Sequence, residues 1–305
     1  MTYLERLAVE LTAGLALVAE EARARHRDYL GRAQLADGGW AGREGPSDLY
    51  YTGFALRSLG ILDALTPEIT RRAGEYLNSC RQQRTSVVDF FSFLYSAALL
   101  QVSGGPDLLA EVATGWEDRI ALELNSFRTP DGGYAKTPGA SSGSTYHTFL
   151  VALCHEMIER PLPATECVVD FLQSRQREDG GFVEIGPMRR SGTNPTAAAV
   201  ATLRMFHQPV GPDVIKFLTS MVGPDGALRA NGRIPASDLL STFTGLWTLH
   251  ELGAVERIDR PALGRFAEAL DHPDGGFRAG LWDNHVDVEY TFYGLGTLAL
   301  LAARS

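Results

Sequence analysis

Cysteine is scarce in this chain: Cys80, Cys154 and Cys167 are the three among 305 residues, and no Cys-x-x-Cys pair occurs. Such an odd, sparse set builds no disulfide framework and suits a reducing cytoplasm, where thiols act as small buried apolar groups. Positive charge is also short. Lys and Arg number 28 against 37 Asp and Glu, a net charge of −9, whereas binding DNA or RNA through its phosphates needs a basic face. A nucleic-acid partner is therefore not expected. No apolar run approaches the roughly 20 residues that span a bilayer. The stretch from Leu11 to Ala19 is bracketed by Glu5, Arg6, Glu10, Glu20 and Glu21, which fits an amphipathic helix better than a signal peptide, so no integral membrane contact is expected. There is no phosphate-cradling glycine loop and no Gly-x-Ser-x-Gly. With 45% apolar and 21% charged residues, a soluble globular protein remains.

What is present is a repeat. Asp37-Gly38-Gly39-Trp40 returns as Asp131-Gly132-Gly133-Tyr134, Asp179-Gly180-Gly181-Phe182, Asp225-Gly226-Ala227-Leu228 and Asp274-Gly275-Gly276-Phe277, at intervals of 94, 48, 46 and 49 residues. The first interval is a double one, so one copy has lost its turn near Arg84-Thr85-Ser86, and the chain holds six units of about 47 residues. Each unit reads as two helices. An amphipathic stretch such as Pro67 to Gln82 or Ala164 to Gln176 comes first, and the glycine turn breaks it. A second helix then opens on a polar capping residue: Asp48, Asp89, Thr145, Thr193, Asp238 or Asp287. These second helices, for example Phe243 to Leu252 and Thr291 to Ala302, are apolar nearly all round and therefore buried. No strand of convincing alternation is seen. The expected fold is all-α, an α/α toroid (α6/α6 barrel) of six helical-hairpin repeats, one domain over residues 1–305.

The repeats, with Gln34-x-x-Asp-Gly-Gly-Trp and Gln176-x-x-Asp-Gly-Gly-Phe, resemble the α/α-toroid family of protein prenyltransferase β subunits and squalene or diterpene cyclases. The resemblance covers nearly the whole chain, and the single-domain length looks most like a geranylgeranyltransferase β subunit. It implies an isoprenoid or other long apolar small molecule as ligand, with an α-type partner or a homodimer both open. Aromatic residues gather at the starts of the second helices, among them Tyr50, Tyr51, Phe54, Phe91, Tyr95, Tyr146, Trp247, Tyr290, Phe292 and Tyr293. They either line an apolar pocket or fill the barrel as core. Unit four is thin-walled, with Pro195-Thr196-Ala197-Ala198-Ala199 in their place.

The resemblance also implies site residues. Protein prenyltransferases hold zinc with Asp-x-Cys and a His of the next repeat. Here Asp238 survives, but the Cys position is Leu240 and the His position is Tyr290, so zinc is not expected and no metal ligand set is assigned. The resemblance implies a prenyltransferase β-subunit-like protein that binds a prenyl diphosphate and transfers the chain by a metal-independent or Mg-assisted route, or not at all; a terpene cyclase-like enzyme and a non-catalytic lipid carrier or scaffold are the alternatives. Asn231-Gly232-Arg233 resembles the family's Asn-Gly-Arg, which marks Arg233 as a diphosphate ligand. The Lys expected after it is replaced within Ile234-Pro235-Ala236, and the His expected near Asn194 is absent; Arg189 and Arg190 stand in the preceding loop as substitutes or as a solvated pair. The cyclase proton donor, Asp-x-Asp-Asp, is matched only by Asp287-Val288-Glu289-Tyr290, with Glu289 at the donor position. A carboxyl desolvated by rings keeps its proton and can act as an acid. Asp287 and Asp238 are also good N-caps. His147, near a helix start, is either a base or a hydrogen-bonded core residue. Candidate catalytic residues are thus Glu289, Asp287 and Asp238. Candidate substrate contacts are Arg233, Arg189, Arg190, Tyr51, Phe91, His147, Trp247 and Tyr290.

Overall fold

A computed structural model describes residues 1–81, 85–109 and 115–303. Arg84, at the lost turn, and Gln82 lie outside the described residues. After α1 (Tyr3–Leu15), the chain alternates half-exposed and buried helices. The pairs are α2 (Glu20–Arg32) with α3 (Leu49–Ile61), α4 (Pro67–Ser79) with α5 (Val87–Val102), and α6 (Trp116–Asn125) with α7 (Thr145–Met157). They continue with α8 (Thr165–Arg175) and α9 (Thr193–Met205), α10 (Asp213–Ser220) and α11 (Leu239–Glu251), and α12 (Arg260–Leu270) and α13 (Val288–Ala302). Every expected hairpin is present, and each glycine turn falls between the two helices of its pair. Among the described residues no helix is long and apolar enough to cross a membrane.

The chain divides into two compact units, one of residues 3–116 with those from 267 onward and one of residues 117–266. In the first, α3 packs between α5 and α13, and α1 lies against α13 and α3. In the second, α9 packs between α7 and α11. The small residues of Pro195–Ala199 therefore sit on a helix with a neighbour on either side.

One hydrogen-bond scheme recurs at three of the five turns. Asp37 Oδ1 accepts from Gly39 N at 3.1 Å and Ser47 Oγ at 2.6 Å. Asp179 repeats it with Gly181 N and Ser191 Oγ, and Asp225 with Ala227 N and Ser237 Oγ. The N–H of the residue after the glycines then donates to a threonine hydroxyl 14 residues on: Tyr134 to Thr148, Phe182 to Thr196, Leu228 to Thr242 and Phe277 to Thr291. Thr148, Thr196 and Thr291 donate in turn to the carbonyl four residues before them. Only a hydroxyl both accepts and donates in this way, so each turn locks the starting point of the buried helix that follows. Gly275 (φ 90) joins the last pair to the first: a Cβ there would lie 2.4 Å from the Arg25 carbonyl oxygen of α2.

Four expectations need correction. Thr145 and Thr193 are not caps; Ser144 and Gly192 hold those positions. The two threonines, first in their helices, instead donate to Val183 O at 2.7 Å and Arg229 O at 2.6 Å in the following repeat, tying consecutive repeats together. At α5 the cap is Ser86, and Asp89 reciprocates from N3 as a capping box. The all-α expectation stands, since the strands among the described residues are a two-residue pair, β1 (Phe277–Arg278) and β2 (Val286–Asp287), antiparallel with Phe277 opposite Asp287. At two residues each, they are too short for alternation to show. Cys80 and Cys154 are buried as expected, but Cys167 is exposed on α8.

Candidate functional site

Polar groups collect against rings at the starts of the buried helices of the first unit. In the first unit, α3 presents Tyr50, Phe54 and Arg57 at spacings of four and three, one face of a helix. Phe54 meets Phe292 and Tyr293 of α13 edge-on, with centroids 5.7 and 5.3 Å apart, and Tyr50 at 4.9 Å. Phe91 and Tyr95 of α5 add a further pair at 5.8 Å. Into this wall comes one carboxyl: Tyr50 Oη donates to Glu289 Oε1 at 2.7 Å. Burial raises the Glu289 pKa above the usual carboxylate range. The Tyr50 hydrogen bond opposes that rise, Asp287 adds to it, and the charges of Arg57 and Arg43 work against it.

Asp287 is committed to structure. It caps α13 by accepting from Tyr290 N at 2.9 Å, and its other oxygen accepts from Arg43 Nε at 3.1 Å. Arg43 also pairs with the buried Asp283, which pins the loop before α13 to the loop before α3. Tyr51 is half-buried, its phenol pushed up by burial and by Glu289, Asp287 and Asp48. Tyr290 is half-buried, its ring 6.1 Å from that of Tyr293, and Phe91 is buried.

The second unit holds the other candidates. Asp238 caps α11, one oxygen accepting from Ser241 N at 2.7 Å and the other from Ser241 Oγ at 2.8 Å. Burial raises its pKa. Trp247 is buried and stacks on His250 at 5.4 Å. Arg189, Arg190 and Arg233 are all exposed, and among the described residues none of them pairs with a carboxylate. The N–H of Arg233 folds onto Asn231 Oδ1 at 2.9 Å. Thr193, at the start of α9 just beyond Arg190, is bonded through its N–H to Ala230 O at 2.9 Å. The three arginines thus stand on two adjoining loops.

His147 has partners that its neighbours in sequence did not reveal. Its Nδ1 lies 2.7 Å from Ser144 Oγ, and Ser144 Oγ donates to the carboxylate of Glu184 from the next repeat. Burial, with a smaller push from Lys136, lowers the His147 pKa to about 4, and burial lowers that of His26 to about 4 as well. Both imidazoles are expected to titrate near pH 4 by NMR, against about 6.5 for an unperturbed ring. Because the folded chain then binds fewer protons than the unfolded one, their contribution to stability falls as pH drops from about 6.5 to about 4 and levels off below. A midpoint near 6.5 for either ring would contradict its burial.

Arg57, Ser144 and Glu184 are the residues that sequence reasoning missed. Arg57 carried a signal, being the sole charge in the apolar helix Leu49–Ile61. Ser144 and Glu184 meet across 40 residues and carried none.

A family sequence model for the prenyltransferase alpha-alpha toroid domain matches three overlapping stretches, residues 7–183, 90–209 and 196–305. The chain belongs to this prenyltransferase toroid family. Its fold is accordingly an α/α toroid. Among solved structures, Candida albicans protein geranylgeranyltransferase-I complexed with GGPP is similar at 13% identity and a TM-score of 0.74, over 91% of this chain and 90% of that one. A protein from Actinoplanes is similar at 18% identity and 0.64, over 93% and 99%. The type II terpene cyclase MstE from Scytonema, in complex with geranylgeranyl dihydroxybenzoate, is similar at 15% and 0.64, over 98% and 99%. At such identities the likeness is one of fold, and a toroid's activity has to be argued from its site. No curated protein matches the sequence.

Proposed function

We propose that this toroid binds an isoprenoid against its aromatic wall and that Glu289 starts a cyclisation by protonating it. The observation that carries this reading is the Glu289–Tyr50 pair: a carboxyl raised in pKa by burial and bordered by the rings of Phe54, Phe292 and Tyr293. Asp287 and Asp238, the other acidic candidates, have their oxygens engaged in helix caps. In the proposed step Glu289 delivers its proton to an alkene carbon of the bound chain. The π pair forms the new C–H bond and leaves a cation, which a second alkene attacks to close a ring; ring faces stabilise such a cation. The final cation loses a proton to water, and Glu289 is reprotonated from solvent. Incubating the chain with geranylgeraniol or geranylgeranyl diphosphate should yield an isomer of unchanged mass with fewer alkenes, seen by gas chromatography and mass spectrometry. Recovery of linear substrate alone would refute the acid role.

The zinc chemistry of protein prenyltransferases does not suit these residues. Asp238 has both oxygens engaged by Ser241, Leu240 offers no donor atom, and Tyr290 replaces imidazole with a phenol, whereas a catalytic zinc takes three protein ligands.

A second reading, transfer from a prenyl diphosphate, is favoured by Arg189, Arg190 and Arg233 on their adjoining loops, since guanidinium groups chelate phosphate well. In that reading Arg233→Ala should weaken geranylgeranyl diphosphate binding about 10-fold or more, as loss of a hydrogen bond to a charged group does, and leave geranylgeraniol binding unchanged. Equal affinity for the diphosphate in both proteins would remove it.

A further inference from the structure

Arg57 is an unusual resident of an aromatic wall. Its guanidinium carbon lies 4.0 Å from the ring centre of Phe54, 5.1 Å from Phe292, 5.6 Å from Phe91 and 5.7 Å from Tyr95, so rings from α3, α5 and α13 surround it. Nε donates to Gly53 O at 3.0 Å, a bond within its own helix. A guanidinium has five N–H donors in a rigid fork, and among the described residues no carboxylate pairs with the four on its terminal nitrogens. Glu289 is close enough for its charge to be felt, but its carboxyl accepts from Tyr50 Oη and forms no ion pair with Arg57. Tyr95 cannot serve either, because burial raises its phenol pKa. Ring faces offset only part of the cost of half-burying a cation. What is left is a fixed positive charge among rings, whose fork-shaped terminal donors are open to solvent and bond no protein group among the described residues, the arrangement by which a mostly apolar site orients a ligand with one polar end.

We infer that Arg57 is the anchor for an anionic end group, a carboxylate or phosphate, of the isoprenoid that occupies this wall. The inference rests on the isoprenoid-binding reading above and narrows its substrate class to amphiphilic, anion-bearing chains. It also resolves a conflict within that reading. The rings that would face a carbocation already face a guanidinium, and like charges repel; an anion on Arg57 cancels that charge as the ligand binds, freeing the wall to stabilise positive charge.

Two probes with one tail test this. Geranylgeranoic acid and geranylgeraniol differ at the head group, and their affinities for the full chain are read by isothermal titration calorimetry at pH 7.5. The acid should bind about 10- to 100-fold more tightly than the alcohol, the range for a hydrogen bond to a charged group. Arg57→Met keeps the unbranched bulk of the side chain and removes the charge; it should abolish the acid's advantage and leave alcohol binding within about twofold. Equal affinities of the two probes for the unmodified chain would overturn the inference, whatever the variant does. An unchanged preference in Arg57→Met would also overturn it and move the anion to Arg189, Arg190 or Arg233. Failure of both probes to bind would instead defeat the isoprenoid reading beneath it.

Discussion

Glu289→Gln should lower turnover of a cyclising substrate by about 10²- to 10⁴-fold, the usual contribution of a positioned general acid, while leaving its affinity nearly unchanged. The substitution is close to isosteric. Gln keeps an oxygen that can accept from Tyr50 Oη, now 2.7 Å from Glu289 Oε1, and its amide has no proton acidic enough to give to an alkene. Removing chemistry without removing volume separates the acid from its role as wall. The same variant also tests whether the negative form of Glu289 matters for folding. Because Gln matches the carboxyl in volume, the exchange should leave the unfolding free energy read by urea denaturation within about 0.5 kcal/mol of the parent, as for a change that creates no cavity. Full activity in Glu289→Gln would assign the proton to another group. Lost activity together with lost binding would make Glu289 part of the binding wall rather than the acid.

Tyr50→Phe refines the result. The Tyr50 hydrogen bond works against the rise in the Glu289 pKa, so its loss should leave a weaker acid. In the proposed step the phenol would orient the carboxyl, one bond from the reacting proton, which is the role of a positioning residue.

The architecture was legible because it is written several times over. Asp, two glycines and an aromatic recur at a fixed period in four copies of the turn, and the residue types answer local demands: a carboxylate that accepts from the third residue's N–H at Asp37, Asp179 and Asp225, a first glycine in the left-handed region, and a large side chain to seal the turn. Such demands are met within a few residues of chain, so one sequence displays them. The place of Glu289 in the first turn of α13 was legible for a related reason. The residue stands two residues beyond the cap Asp287, in a register that the repeat itself defines. The contacts that were not legible cross between repeats. Ser144 and Glu184 lie 40 residues apart, and Arg43 reaches Asp283 and Asp287 over 240 and 244. No local rule links such pairs; the superposition of one repeat on the next creates them. Thr145 and Thr193 were misread as caps on the same account, since their real partners, the carbonyls of Val183 and Arg229, belong to following repeats. The threonines at 14 residues beyond the turn's aromatic were within reach of a period search and show that a repeat carries polar as well as apolar regularities.

Gly38→Ala should destabilise the fold by about 2–5 kcal/mol, and its comparison with Gly45→Ala separates two causes. Both glycines have positive φ, 92° and 99°, so an alanine at either pays a backbone cost of about 1–2 kcal/mol. Their surroundings differ. A Cβ at Gly45 would meet nothing within 4 Å, whereas one at Gly38 would fall 2.1 Å from the carbonyl oxygen of Arg72 on α4. That oxygen belongs to a helix backbone, so relief means shifting α4 against the turn, which adds about 1–3 kcal/mol of overpacking. The side chain of Arg72 raises the stakes, because its Nη2 donates back to Leu35 O at 2.6 Å and is displaced with the helix. Urea denaturation followed by circular dichroism reads the difference as a lower midpoint for Gly38→Ala than for Gly45→Ala. Equal losses in the two variants would mean that the turn glycine is retained for its φ alone, and that α4 can move away from the turn at little cost. A larger loss at Gly38 assigns the repeated first glycine a second duty: it lets the turn of one hairpin seat directly on the half-exposed helix of the next, the contact by which successive repeats stack.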